Sequence, residues 1–274
     1  MSLHYDIQPA YAHLKEWVLE LPALFEQEKG ELIYKGRNEL RKFHAGGHSL
    51  VVKSFQIPHL INRIAYGWVR PSKAQRSYEY AVLLQNKGFG TPDPVAWLTL
   101  SCRGLLGKSF YVSLESECPE TYAALIGGKH PQEEKYLKAI ARFTARLHDQ
   151  GMIHKDYSLG NILLKDTPEG VRIELIDLNR LRFHRSISVE TGCRNLFDGR
   201  LPATREMRET MADEYAAARG ISREMCRHWL TVCENEQKQK YPHATHQDDR
   251  RIGQPDVYLC LLPCHAQAIP KDPH

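Results

Sequence analysis

No apolar run in the chain approaches the ~20 residues needed to cross a bilayer. The opening MSLHYDIQPAYAHLKEWVLELPALF also lacks the basic segment followed by an apolar core that marks a secretory leader. Both absences lead us to expect a cytoplasmic protein. Cysteine is sparse and irregular: seven residues, Cys102, Cys118, Cys193, Cys226, Cys233, Cys260 and Cys264, form an odd set that argues against a disulfide framework. Cys260 and Cys264 stand close to His265, but no second cluster at metal-ligand spacing accompanies them, so a zinc site is not expected. Acidic residues are missing from one long stretch. Between Leu40 and Tyr78 there is no Asp or Glu, while Arg41, Lys42, Lys53, Arg63, Arg70, Lys73 and Arg76 are all basic. A block of one sign suits an anionic partner, such as nucleotide phosphates, an acidic sugar or an anionic membrane surface; it is also what a solvated basic face looks like. With a net charge of only +4, no nucleic-acid partner is expected.

The rest of the composition is ordinary for a globular protein, and 274 residues suffice for one large domain or two lobes around a cleft. The segment YAHLKEWVLELPALFEQ has apolar residues near helical spacing and predicts an N-terminal helix ended by Gly30. The period then changes to alternation in ELIYKGRNELRKFHAGGHSLVVKSF, broken by the turn compositions GRN and AGGH, which predicts a three-stranded antiparallel meander. Its third strand carries Lys53. A helix over SKAQRSYEYAVLLQNKG and two more strands over TPDPVAWLTLSCRGLLGKSFYVSLESE complete a small lobe of five strands and one main helix. Downstream the pattern is helical. PQEEKYLKAIARFTARLHDQG places Leu137, Ile140, Thr144 and Leu147 on one stripe and stops at Gly151. VRIELIDLNRLRF reads as a strand containing Asp177, TREMRETMADEYAAARG and SREMCRHWLTVCENEQKQ as helices, and the polar remainder as an irregular tail. The expected boundary divides residues 1–117 from residues 118–274.

Chemistry concentrates in GMIHKDYSLGNILL, residues 151–164. There His154, Asp156 and Asn161 stand in the order H-x-D-x-x-x-x-N between apolar brackets, and Asp177 follows sixteen residues after Asn161. Phosphoryl transfer needs a cation on the phosphates, a metal held by carboxylate and amide oxygens, and an acceptor for the nucleophile's proton. Lys53 supplies the cation. An ammonium among Val51, Val52 and Phe55 calls for a partner, and the first acidic residue after it is Glu79, on the following helix. Asn161 and Asp177 can share one Mg²⁺ while Asp156 faces the acceptor hydroxyl; His154 is assigned a structural role. Singly these signals are weak, since a strand Lys is usually a snorkelling edge residue and an Asp after ELI is often a cap. Their order and spacing specify an α+β, two-lobed, protein-kinase-like fold.

Residues 32–180 resemble the protein-kinase-like superfamily, and YKGRN, VVKSF, KAQRSYEYA, GFGTPDPVAW and HKDYSLGNILL…IELIDLNR are similar to the lipopolysaccharide core kinases. The resemblance implies ATP-dependent, Mg²⁺-dependent phosphorylation of Kdo or heptose in a lipid A-linked inner core, and hence an anionic, lipid-linked sugar as partner and peripheral contact with the inner membrane. The sequence departs from eukaryotic protein kinases. Tyr157 and Ser158 follow the catalytic Asp where a Lys is usual two residues on, Asp177 continues as Leu-Asn-Arg rather than Phe-Gly, and no Ala-Pro-Glu follows, so no switchable activation loop is expected. The nucleotide loop keeps Gly36 alone, so phosphate contact is expected from backbone N–H groups near Arg37 and Asn38 and from Lys53. Retention of Asn161 resembles the Kdo branch more than the heptose branch.

Two other readings stand beside this one. The Gly160-Asn161 ending also resembles aminoglycoside-type phosphotransferases, so another small molecule or a protein could be the acceptor. A pseudokinase or scaffold would be expected to have lost one of Lys53, Asp156, Asn161 or Asp177, and all four are present.

Overall fold

A computed structural model describes residues 2–57, 71–102, 105–125, 130–197 and 204–240. The tail after residue 240, with Cys260, Cys264 and His265, lies outside the described residues, as do Arg63 and Arg70 of the basic block. The chain divides into two compact units, Met1–Ser116 and Glu117–His274.

The first unit is built on an antiparallel sheet of six strands, not the five expected. They are β1 (Ser2–Ile7), β2 (Glu31–Lys35), β3 (Glu39–Ala45), β4 (His48–Phe55), β5 (Pro94–Cys102) and β6 (Leu105–Leu114), in the spatial order β1-β5-β6-β4-β3-β2. The additional strand is β1, which pairs along β5 from Ser2 opposite Ser101 to Ile7 opposite Ala96. It is an edge strand with almost every side chain exposed, so it carries no buried apolar face for a periodicity argument to detect.

A 3₁₀ turn over Pro9–Leu14 leads into α1 (Lys15–Glu26). Val18, Leu21 and Phe25 of α1 pack into one cluster with Leu50 and Val52 of β4, Leu98 of β5 and Phe110 of β6. The second helix, α2 (Lys73–Asn86), opens on Ser72, whose hydroxyl accepts the Gln75 N–H at 3.1 Å. It buries Ala74, Ser77, Tyr78, Ala81 and Leu84.

The second unit contains a three-stranded sheet, β10 (Gly170–Leu175), β9 (Ile162–Thr167) and β7 (Glu120–Thr121), and a two-stranded ribbon, β11 (Leu181–Phe183) with β8 (Met152–His154). Its helices are α3 (Glu133–Asp149), α4 (Val189–Phe197), α5 (Arg205–Arg219) and α6 (Arg223–Lys240). The expected α3 stripe is buried throughout: Leu137, Ile140, Thr144 and Leu147 have almost no exposure. Among the described residues, no helix is long and apolar enough to cross a membrane.

Two cations of the basic block serve the fold. Arg41 is only 3% exposed. Its Nη1 donates to the carbonyls of Glu28, Lys29 and Gly30 at 2.7, 3.2 and 3.2 Å, and its Nε donates to Glu39 at 2.5 Å. Lys42 pairs with Glu115 at 2.8 Å. These two cations tie the turn after α1 and the end of β6 to the sheet, which removes them from a partner-binding face.

Candidate active site

The stretch from His154 to Arg180 is held by short-range hydrogen bonds around one buried imidazole. His154 Nδ1 accepts the Asp156 N–H at 3.2 Å, which leaves Nε2 to donate to the Ile176 carbonyl at 3.0 Å. One side chain thereby fixes the backbone on both sides of the candidate site, beside Asp156 and beside Asp177. Both bonds require the neutral imidazole, and burial holds the His154 pKa below its ordinary value. The structural role expected of His154 is what the geometry shows.

Asn161 is 1% exposed. Its Nδ2 donates to the Asp156 carbonyl at 2.8 Å, its N–H donates to the Ser158 carbonyl at 2.9 Å, and its own carbonyl accepts the Ile176 N–H at 3.1 Å. These bonds close the loop and set residue 176 against residue 161. Asn161 Oδ1 is buried with no hydrogen-bond donor among the described residues. Such an orphaned acceptor is costly unless something electropositive meets it.

Asp177 is not on a strand as expected, because β10 ends at Leu175. It adopts the left-handed conformation, φ 57° and ψ 46°, at the head of a 3₁₀ turn over Leu178–Arg180. Asp is one of the few residues that tolerates this region, and a non-glycine residue held there often marks a functional site. Asn179 Nδ2 donates to Asp177 Oδ1 at 2.5 Å. A carboxylate one residue beyond Ile176 and an orphaned amide oxygen at Asn161 fit a magnesium ion, which takes one or two protein oxygens and completes its shell with phosphate and water. Among the described residues, no group of three or more His, Cys, Asp or Glu could hold a metal.

Asp156 is partly exposed, and Arg180 Nη1 lies 3.4 Å from its Oδ2. Arg180 is a site residue beyond those expected from the sequence; its signal is its position directly after Asp177-Leu-Asn. Tyr157, the residue after Asp156, is buried and donates its hydroxyl to Thr144 Oγ1 at 2.6 Å, because Thr144 itself donates to the Ile140 carbonyl at 2.7 Å. This bond seats the loop on α3.

A second buried chain of hydrogen bonds, also missed, reaches the loop from behind. Arg219 Nη1 donates to the Tyr215 hydroxyl at 3.0 Å, Tyr215 donates to His148 Nδ1 at 2.7 Å, and His148 Nε2 donates to Asn195 Oδ1 at 3.0 Å. Asn195 Nδ2 then donates to the His154 carbonyl at 3.1 Å. The direction is consistent only if His148 is neutral. Gly192 sits against this chain so closely that a Cβ there would lie 2.2 Å from the Tyr215 hydroxyl and 2.8 Å from Arg219 Nη1.

Burial lowers the His148 pKa from 6.5 to about 4. Unfolding frees His148 to take a proton below its ordinary value, which the folded interior resists until about pH 4. The stability from the neutral ring is therefore complete above pH 6.5 and is lost as the pH falls toward 4, by up to about 3 kcal/mol in all. The thermal midpoint should fall between pH 7 and pH 5, and His148→Gln, which keeps a donor and an acceptor but cannot titrate, should flatten that slope. An identical slope in the variant would remove His148 as the cause.

In the first unit, Lys53 stands on β4 opposite Tyr111 of β6, with its Nζ 5.4 Å from the Phe55 ring centroid. The expected ion pair to Glu79 is not formed. Tyr78 takes the buried position on α2, and Glu79, one residue and about 100° further round, is exposed and accepts Gln75 Nε2 at 2.8 Å. Gly36, Arg37 and Asn38 form the exposed turn between β2 and β3, closed by Gly36 N–H to the Asn38 carbonyl at 3.0 Å. Asn38 Oδ1 accepts the Gln56 N–H at 3.4 Å.

An antiparallel sheet bearing a lysine, followed in the chain by a helical unit that carries Asp156, Asn161 and Asp177, fits a protein-kinase-like fold. Residues 116–196 match the model of the lipopolysaccharide kinase (Kdo/WaaP) family. A solved structure described as "WaaP in complex with acyl carrier protein" has the same fold, with a TM-score of 0.59 at 18% identity over 87% of this chain and 99% of that one. No curated protein sequence matches the chain. Over this segment the chain is similar to the lipopolysaccharide core kinases, and the match together with the fold indicates an ATP-dependent kinase.

Proposed function

We propose that the protein transfers the γ-phosphoryl group of ATP to a hydroxyl of an inner-core lipopolysaccharide sugar, and that Kdo rather than heptose is the acceptor. The observation that carries the phosphotransfer reading is an orphaned, buried Asn161 Oδ1 on a loop whose backbone bonds Ile176, the residue before Asp177, and that also presents Asp156. The family matched over residues 116–196 supports a core sugar as substrate. Retention of Asn161 supports the Kdo branch.

Each residue has one task. Asn161 and Asp177 would hold Mg²⁺, which when bound neutralises phosphate charge. Lys53 binds nucleotide phosphates, and the backbone N–H groups of Arg37 and Asn38 contact them. Asp156 orients the acceptor hydroxyl and takes its proton late, since bond-making lags in a loose transition state. His154 positions both carboxylates through the backbone and stays neutral while it does so. Glu79 has no part in holding Lys53 in this conformation, so Glu79→Gln should change kcat/KM far less than Lys53→Met.

The Kdo assignment is tested by steady-state kinetics on matched acceptors. A Kdo-terminated lipid A precursor should be turned over with at least tenfold higher kcat/KM than a heptose-terminated core, a difference of about 1.4 kcal/mol in transition-state binding. Preference for the heptose acceptor would overturn the branch while leaving the kinase in place.

A further inference from the structure

From Leu178 to Val189 the chain reads LNRLRFHRSISV and contains no acidic residue. Arg180, Arg182 and Arg185 are exposed on it, and so is Lys155 on the neighbouring segment. The backbone beneath these side chains is fixed. Leu181 pairs with His154 in the ribbon, Lys155 N–H donates to the Arg180 carbonyl at 3.3 Å, and His184 N–H donates to the Gly151 carbonyl at 2.7 Å. The approach at Gly151 is so close that a Cβ there would lie 2.1 Å from the His184 oxygen, which only glycine at φ 71° allows.

The acids on adjoining elements are already engaged. Asp149 pairs with Arg219 at 3.0 Å, Glu190 with Arg194 at 3.1 Å, and Glu174 with Arg172 at 2.6 Å. Asp156 is the acid that meets the strip, through Arg180. Lys155, Arg182 and Arg185 make no ion pair among the described residues. A rigid, acid-free row of cations beginning at the candidate catalytic carboxylate is a surface for an anion, and an exposed pair such as Arg180–Asp156 is cheap to exchange for another partner.

We infer that Lys155, Arg180, Arg182 and Arg185 form the subsite that holds the anionic group of the acceptor, a carboxylate or a phosphate monoester, beside Asp156; this rests on the phosphotransfer reading above. Arg180 is held by Asp156 when no acceptor is bound and turns to the acceptor anion when one is. Asp156 is then released to the hydroxyl. The strip thus couples recognition of the acceptor's charge to exposure of the proton acceptor.

The test is acceptor kinetics on the full chain with a Kdo-terminated lipid A precursor as probe. Arg182→Gln with Arg185→Gln should raise the acceptor KM by roughly ten- to a hundredfold, as expected for losing charge-assisted hydrogen bonds, with ATP KM and kcat unchanged. Arg180→Gln should raise the acceptor KM as well. Two analogues separate the sources of charge: if the methyl ester of the sugar carboxylate loses the dependence on the arginines, the carboxylate is the ligand, and if the dephosphorylated lipid loses it, the phosphate is. Normal turnover with an acceptor KM indifferent to all three arginines would overturn the subsite and leave the kinase reading standing. No wild-type turnover of any core sugar would overturn both.

Discussion

Asp177→Ala abolishes turnover and removes the Mg²⁺ dependence of ATP binding, while the thermal midpoint stays within a few degrees of the parent. The expectation follows from position. Asp177 lies past the end of β10 in a left-handed conformation, so its carboxylate is not part of a ladder or a packed core. In the proposed metal site its loss would remove one oxygen ligand and leave Asn161 Oδ1 as the other. Alanine in a left-handed conformation costs about 1 to 2 kcal/mol, which bounds the stability change. Calorimetric titration of ATP with and without Mg²⁺, on wild type and variant, checks it. Unchanged Mg²⁺-ATP affinity in the variant would take Asp177 out of the metal site.

The second large effect is at Asp156. Replacement by Asn keeps the shape, the N–H to His154 and the carbonyl that accepts Asn161 Nδ2, because both bonds use the backbone of residue 156. The charge is lost, and with it the exposed ion pair to Arg180. A fall of roughly 10²- to 10⁴-fold in kcat is expected, the usual span for a positioned acid or base, with nucleotide affinity nearly unchanged. Measuring thermal midpoint and single-turnover rate on one preparation separates catalysis from folding. A variant that melts earlier but turns over normally would show that Asp156 merely caps the loop.

The candidate site was legible in the sequence because His154, Asp156, Asn161 and Asp177 stand in a fixed order over 24 residues. The α3 stripe was legible because a buried helical face repeats at a period that a sequence window can see. Asp177 was placed on a strand because VRIELID is apolar enough to extend the pattern. The chain instead leaves the ladder at Leu175, a decision made by backbone dihedrals that composition does not encode. The Lys53–Glu79 pair was chosen by elimination along the chain, and the helical phase of α2 overrules it: Tyr78 claims the inward position and Glu79 turns to Gln75. The sixth strand escaped because β1 stands at an edge with both faces largely exposed. The relay from Arg219 to the His154 carbonyl joins residues up to 67 positions apart across α3, α4 and α5, so no local pattern announces it. A hint was present in His148, which continues the buried α3 stripe four residues after Thr144 and, as a buried polar group, had to find partners.

The central claim is that this chain moves a phosphoryl group from ATP to a core sugar. It is tested most directly by incubating the protein with ATP, Mg²⁺ and a panel of Kdo-terminated lipid A precursor, heptosylated core and aminoglycosides, with a chelated control, and locating the new phosphate by mass spectrometry. A single phosphate ester is expected on the Kdo-bearing acceptor, and it disappears when the metal is chelated. Phosphate on an aminoglycoside alone, or no acceptor phosphorylated at all, would contradict it.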